Sequence, residues 1–213
     1  MDAVLRVTEI FRSIQGESSY QGLPCTFVRL AGCNLRCTWC DTSYSHEGGE
    51  AMAASEVYRH VKSLGVSHVE ITGGEPLLQQ AVIPLMERLL DDGSTVLLET
   101  NGSLDISPVP RGVIRIMDIK CPGSAMESRM RFENIRHLRP KDEVKFILTG
   151  RADYEWALKA IREHGIRERA KILMGCTSLE LYASLCDWIL ADSLDARINV
   201  QLHKIIWGPS SRR

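Results

Sequence analysis

The chain has 213 residues, 44% of them hydrophobic and 25% charged, which suits one soluble globular domain spanning 1–213 with a sizeable core. Lys and Arg total 26 against 27 Asp and Glu, so no net positive field favours a nucleic-acid backbone as a direct partner. No apolar run approaches the roughly 18–20 residues of a membrane span, and "MDAVLRVTEIFRSIQGE" lacks the basic start and apolar stretch of a signal peptide, so a cytoplasmic protein without membrane partners is expected.

After a polar opening, "CTFVRLAG" reads as a strand entering the loop "GCNLRCTWCDT". "SEVYRHVKSLG" follows as a helix with Val57, Val61 and Leu64 at helical spacing. The unit then recurs: strand "HVEIT", loop "GGEP", and helix "AVIPLMERLLDDG" with Leu85, Leu89 and Leu90 inward and Gly93 as its stop. Strand "TVLLE", loop "TNGS", strands "VIRIMDIK" and "EVKFILTG" and helix "ADYEWALKAIREHG" come next. "KILMG", the helix "SLELYASLCDWILADSL" and a last strand "RINVQLH" complete the alternation; 121–142 is its least regular part.

Val-, Ile- and Leu-rich strands separated by helices predict an α/β protein with a parallel sheet covered by helices. A closed eight-fold barrel needs about 250 residues. The chain therefore supports about six or seven strands, as an incomplete barrel or an open doubly wound sheet. Both architectures gather ligands at the carboxyl ends of the strands, and "GCNLRCTWCDT", "TGGEP", "ETNGS" and "DIKCP" all follow strands. They are expected on one rim.

Seven cysteines in a reducing compartment are metal ligands, catalytic groups or packed thiols rather than bridges. Cys25, Cys176 and Cys186 read as packed thiols, and Cys33, Cys37 and Cys40 stand apart by their spacing. A structural zinc site is closed by four Cys or His ligands, and His46 is near enough in sequence to complete such a set. Iron–sulfur clusters also take four thiolates; a cubane on three leaves one iron open, as a catalytic metal centre does. Gly73 and Gly74 directly after a strand let backbone groups approach a ligand where side chains would block them. Glu75 adds a carboxylate.

"CNLRCTWC" resembles the CxxxCxxC signature of the radical S-adenosylmethionine superfamily, with Trp39 before the third cysteine, and "TGGEP" resembles its GGE motif. The resemblance implies a partial β/α barrel. It also implies that Cys33, Cys37 and Cys40 hold a 4Fe-4S cluster whose fourth partner is S-adenosylmethionine, cleaved to a 5'-deoxyadenosyl radical. "EIFRSIQGES", "FVRLAGCNLRCTWCDT", "ITGGEP", "ETNGS" and "VQLHKIIWG" together resemble the 7-carboxy-7-deazaguanine synthase family. That family contracts 6-carboxy-5,6,7,8-tetrahydropterin to 7-carboxy-7-deazaguanine with loss of ammonia, after hydrogen abstraction from C6.

By that resemblance Ile14, Gln15, Gly16, Glu17, Thr72 and His203 contact the pterin, and Arg29 pairs with its carboxylate, as a guanidinium does bidentately. Trp39, Cys40, Asp41, Gly73, Gly74, Glu75, Glu99, Asp118 and Lys120 are expected at the cofactor, although "DIK" stands where the family has Ser-Pro-Lys. Thr42 is expected to give one oxygen to Mg2+, which keeps few protein ligands. A homodimer and a reductase or flavodoxin-type electron donor also follow from the family. "KILMGCTS" lacks the Gln-Pro of part of the family, and "WGPSSRR" runs past the strand end where some members stop, so no contacts are assigned there. A glycyl-radical activating enzyme shares the cysteine loop, and a noncatalytic zinc or iron–sulfur protein is the alternative of another class.

Overall fold

The computed structural model describes residues 2–208; the end of the tail, 209–213, lies outside the described residues. One nine-stranded sheet organises them, in the order β3-β1-β2-β4-β5-β6-β7-β8-β9. The strands are β1 Val4–Ile14, β2 Pro24–Leu30, β3 Glu50–Ala53, β4 His68–Gly73, β5 Thr95–Thr100, β6 Ile114–Ile119, β7 Glu143–Leu148, β8 Lys171–Cys176 and β9 Arg197–Ile198. β2 and β4 to β9 pair in parallel, each with the next. The order of these parallel strands never reverses, which excludes a doubly wound sheet and leaves the incomplete barrel.

Two strands exceed the expected six or seven: β1 pairs antiparallel with β2 and with β3. Sequence reading took the segment of β1 for a polar opening. The signal was there in Leu5 and Val7, both buried, alternating with Arg6 and Thr8. The last strand is also shorter than "RINVQLH" suggested, because after Ile198 the chain turns into the short helix α5, Leu202–Trp207. Asn199 and Gln201 mimic strand alternation, but their side chains bond to Glu17.

Four helices, α1 Ala54–Ser63, α2 Val82–Asp91, α3 Arg151–Glu163 and α4 Leu181–Ala191, carry apolar stripes. Val82, Leu85, Met86 and Leu89 of α2 are buried at i, i+3, i+4 and i+7, and Val57 and Val61 of α1 at i and i+4. They meet the outward register of the strands: Val69 and Ile71 of β4, Val96 and Leu98 of β5, Val144, Phe146 and Leu148 of β7. The inward register is different in kind. At its base Leu97, Ile114 and Ile116 form a small apolar layer under Tyr20. Above it Glu70, Thr72, Glu99, Asp118, Lys120 and Lys145 face one cavity. Strand alternation thus separates an apolar convex face from a polar concave one.

The sheet's open side is bridged by chain rather than by strand pairing. The β1–β2 hairpin loop meets the C-terminal segment through Ser18 N to Asn199 Oδ1 at 2.8 Å, Leu202 N to Gly16 O at 2.9 Å, and Gln21 Nε2 to Val200 O at 2.5 Å. No helix among the described residues is long and apolar enough to cross a membrane.

Near the amino ends of β6 and β7 lies a fully buried ion pair on the convex side. Asp142 accepts from Arg115 N (3.0 Å), Arg115 Nη1 (3.2 Å) and Arg139 N (3.0 Å), while Arg115 Nη2 donates to Val109 O at 2.7 Å. Breaking one partner of such a pair strands a charge without solvent and costs about 3–5 kcal/mol. Asp142→Ala is therefore expected to lower unfolding free energy in urea by that much. A loss under about 1 kcal/mol would show that the pair behaves like a surface bridge.

Candidate active site

A cavity of about 420 Å³ opens at the carboxyl ends of the parallel strands, on the rim where the four strand-following loops were expected. It brings together Cys33, Cys37 and Cys40, Trp39, Asp41 and Thr42, Gly73 and Gly74, and Thr72, Glu99, Asp118 and Lys120. Ile14 at the end of β1, Gln15, Gly16 and Glu17 of the hairpin loop, Arg29 of β2 and His203 line it too. His203 stands on α5 rather than on a strand. Its ring packs on Gly16 so closely that a Cβ there would overlap it.

The cysteine loop is held by its neighbours rather than by regular structure. Thr38 donates to Ser124 O (3.2 Å) and Gly123 O (2.8 Å), Asn34 Nδ2 to Ser103 Oγ (2.8 Å), and Asn101 Nδ2 to Asn34 Oδ1 (3.1 Å). The loops after β5 and β6 therefore set the position of the thiols. Burial pushes the Cys33 and Cys37 thiols up, with Lys120 pulling both the other way. His46 Nε2 is 3.4 Å from Cys40 Sγ. Yet among the described residues no three His, Cys, Asp or Glu side chains converge as a single ion requires; the thiolates of a cubane sit on separate irons and need no such convergence.

The glycine pair makes the close approach the sequence suggested. Gly73 has φ 143°, and a Cβ on it would come within 2.7 Å of Leu30 N; one on Gly74 would come within 2.7 Å of Cys33 Cβ. Only glycine lets strand β4 end against the cysteine loop. Glu75, also expected at the cofactor, stands apart from the other site residues in its surroundings. Its side chain is fully buried and does not line the cavity, because its carboxylate accepts from Leu77 N (3.0 Å), Asn101 N (2.7 Å) and Thr100 Oγ1 (2.9 Å). Burial raises its pKa although these bonds oppose the shift. Glu75 is thus an anchor that ties the GGE loop to the loop after β5.

On the other side of the cavity Arg29 Nε donates to Glu9 Oε1 at 2.7 Å, which Tyr44 Oη also approaches at 2.9 Å. One of its five donors is used by that bond. Asp41 is paired with Lys204 of α5 at 2.9 Å; burial raises its pKa, but Lys204 outweighs it and the net shift is downward. Burial lowers the pKa of His203 against the pull of Glu17, so its ring is neutral at neutral pH.

Sequence reasoning missed the deepest charged groups. Lys145 of β7 reaches Glu17 Oε2 at 2.6 Å, Asp118 Oδ2 at 3.7 Å, and Glu99. Glu70 of β4 bonds to Gln15 and is pushed well up by burial and by Glu99. Their only sequence signal was a charge at an inward position of a strand otherwise apolar, "VEI" and "VKF". Cys176 and Thr177 also line the cavity, in the stretch left without assigned contacts.

Two buried polar atoms of the lining have no partner among the described residues: Trp39 Nε1 and Asp118 Oδ1. The Trp39 ring lies 4.8 Å beneath the Lys120 ammonium. A donor and an acceptor left open beside three thiols and a glycine cradle fit an iron–sulfur cluster with a polar organic ligand on it. The same cradle yields a stability test. Glu75→Ala leaves two buried donors and one half-buried donor without an acceptor and is expected to cost about 2–4 kcal/mol in chemical denaturation. Glu75→Gln, which keeps a carbonyl oxygen, is expected to lose less than half as much. Equal losses would mean that the charge, not the acceptor, holds the loop.

Comparison with known proteins agrees with this geometry. The Radical SAM superfamily model matches residues 28–119, from β2 through the cysteine loop and GGE loop to β6. A 7-carboxy-7-deazaguanine synthase of Koribacter versatilis is 43% identical, over 98% of this chain and 99% of that one. One of Chlorobaculum tepidum is 42% identical over 99% and 98%. Among solved structures, QueE from Escherichia coli superposes with a TM-score of 0.79 at 21% identity, covering 94% of this chain and 95% of that one; at that identity the likeness speaks for the fold. With near-complete coverage at above 40% identity and the cysteine loop set on the expected rim, the chain belongs to the 7-carboxy-7-deazaguanine synthase family of radical S-adenosylmethionine enzymes.

Proposed function

We propose that this protein converts 6-carboxy-5,6,7,8-tetrahydropterin to 7-carboxy-7-deazaguanine with release of ammonia. The carrying observation is that one cavity joins the Cys33–Cys37–Cys40 loop to the segment Ile14–Glu17, Arg29 and His203. The first set suits a 4Fe-4S cluster with S-adenosylmethionine; the second suits a flat heterocycle bearing a carboxylate. A glycyl-radical activating enzyme has no use for the second.

When bound, the cluster and S-adenosylmethionine supply the radical that takes hydrogen from C6 of the pterin. The protein's own part is binding and exclusion of water. Gly73 and Gly74 present backbone to the cofactor, and Trp39 offers an indole N–H. Asp118 and Lys120, 2.8 Å apart, offer an acceptor and a cation for its charged end. Arg29 meets the pterin carboxylate, with Gln15, Gly16 and Glu17 along the edge of the ring and Thr72 and His203 completing the pocket. The amide and carboxylate groups there match the donors and acceptors of a pterin.

Thr42, directly after the cysteine loop and on the cavity wall, is the residue for Mg2+, with substrate and water filling the octahedral shell. The ion would act as Lewis acid and template. A homodimer and a reductase or flavodoxin-type donor belong to the same proposal on family grounds.

Anaerobic, cluster-reconstituted protein given S-adenosylmethionine, a reductant, Mg2+ and the carboxytetrahydropterin is expected to yield the deazaguanine and ammonia in equal amounts. Absence of both with an intact cluster rules the proposal out. Thr42→Ala tests the metal separately. Its turnover is expected to fall at least about tenfold and to need more Mg2+ for saturation, and a Mg2+ titration identical to the parent's removes Thr42 from the metal.

A further inference from the structure

Lys145 is the most enclosed cation of the cavity, its side chain 4% exposed. An ammonium taken out of water is tolerated only where carboxylates and hydrogen bonds replace the solvent. Here the carboxylates come from three separate segments: Glu17 from the hairpin loop at 2.6 Å, Glu99 from β5, and Asp118 from β6 at 3.7 Å. Each has a second tie. Glu17 accepts from Gln201 Nε2 at 2.7 Å and Asn199 Nδ2 at 3.2 Å, Glu99 from Thr72 Oγ1 at 3.3 Å, and Asp118 from Lys120 at 2.8 Å. One cation therefore joins the wall proposed for the pterin to the wall proposed for the cofactor.

We propose that Lys145 is a positioning residue of the reaction: bridging Glu17, Glu99 and Asp118, it holds the Glu17 carboxylate aimed into the cavity, so that Glu17 meets the N–H groups of the pterin as an acceptor. This rests on the proposed function and goes beyond it, since nothing in the motifs marks Lys145.

The charge arithmetic of the concave face carries the argument. Glu17, Glu70, Glu99 and Asp118 face Lys145 and Lys120 across one cavity. Burial would raise the pKa of Glu17, yet Lys145 and the Gln201 bond bring it down to about 2. Glu70 goes the other way, pushed up by burial and by Glu99 with Lys145 only partly opposing. Like charges in a confined, poorly hydrated space cannot all ionise. Further out, Arg29 is paired with Glu9 and Lys204 with Asp41, and His203 is neutral because burial lowers its pKa. Lys120 is turned to Asp118 at 2.8 Å, so among the described residues no other cation takes the place of Lys145 at Glu17. Without it the buried Glu17 keeps the Gln201 and Asn199 bonds alone and takes up a proton at higher pH than in the parent, and an acceptor that becomes a donor repels the N–H it was meant to hold.

The sign follows directly. Carboxylates that lose their cation titrate higher, so the acidic limb of pterin binding moves to higher pH and binding recovers as pH rises. A lysine acting only as a structural strut would give a loss with no such recovery.

The test compares cluster-loaded parent, Lys145→Met and Lys145→Arg between pH 6 and pH 9.5. It records KM for the carboxytetrahydropterin, kcat, and anaerobic calorimetric binding of 6-carboxypterin. Lys145→Met is expected to raise KM at least about tenfold at pH 7 with kcat within about threefold, and to shift the acidic limb up by about one unit or more. Lys145→Arg, which keeps the cation, is expected to leave the limb within about half a unit of the parent. An unshifted limb in Lys145→Met, a loss equal at every pH, or the same shift in both variants overturns the proposal. Should Lys145→Met not fold, Lys145→Gln, which keeps hydrogen-bond donors without the charge, is read by the same criteria, and an unshifted limb in it overturns the proposal. Parent protein that makes no product removes the function reading, whereas the calorimetric curves judge Lys145 without turnover.

Discussion

The ammonium of Lys145 among Glu17, Glu99 and Asp118 is the interaction on which the rest of this structure turns. A barrel interior lined with carboxylates is unstable by itself, because the charges repel and water cannot reach all of them. The chain answers with cations on the inward register and with donors from loops. Ser19 N bonds Glu143 of β7 at 3.1 Å, and Asn199 and Gln201 bond Glu17. These same contacts close the open side of the sheet, where no strand pairing is available. The contacts that bring the hairpin loop and the C-terminal segment together over the cavity are thus also contacts to its carboxylates.

The cysteine loop depends on a second device of the same kind. It has no regular structure of its own, so its placement is inherited from three strand ends. Gly73 and Gly74 let β4 press against it, and the buried Glu75 carboxylate fixes the loop after β5, whose Asn101 and Ser103 reach Asn34. The loop after β6 supplies the carbonyls of Gly123 and Ser124 for Thr38. A thiol set of this kind is only as well placed as the carboxylate beneath it.

What could be read from the sequence was whatever is local. The spacing of Cys33, Cys37 and Cys40, the glycines after β4, the helix stripes and the apolar strands all announce themselves within a few residues. The cavity lining followed because parallel strands deliver their loops to one rim. What escaped depends on partners far along the chain. Lys145 meets Glu17 across 128 positions, and nothing near "EVKFIL" predicts it. The motif names Glu75, but where its side chain points is set by Thr100 and Asn101, which bond it from the end of β5 and the loop after it. The strand expected through His203 failed for a similar reason. Alternation in "RINVQLH" is real, yet Asn199 and Gln201 spend it on Glu17, and the chain turns helical once Leu202 N has bonded Gly16 O at 2.9 Å.

The two deeply buried cations of the sheet show how one fold divides stability from chemistry. Arg115, on the convex register near the amino ends of the strands, meets Asp142 with Val109 O as a further acceptor, and faces no cavity. Lys145, on the concave register, has more carboxylate around it than one charge can neutralise, and beside it Asp118 keeps one oxygen buried without a partner. An unsatisfied buried polar atom costs about 1–3 kcal/mol, and so does the open Trp39 indole N–H. Five buried side-chain polar atoms among the described residues lack a partner, Arg115 Nε among them, and two of the five, Trp39 Nε1 and Asp118 Oδ1, line this cavity; a ligand that bonds those two recovers part of that cost on binding.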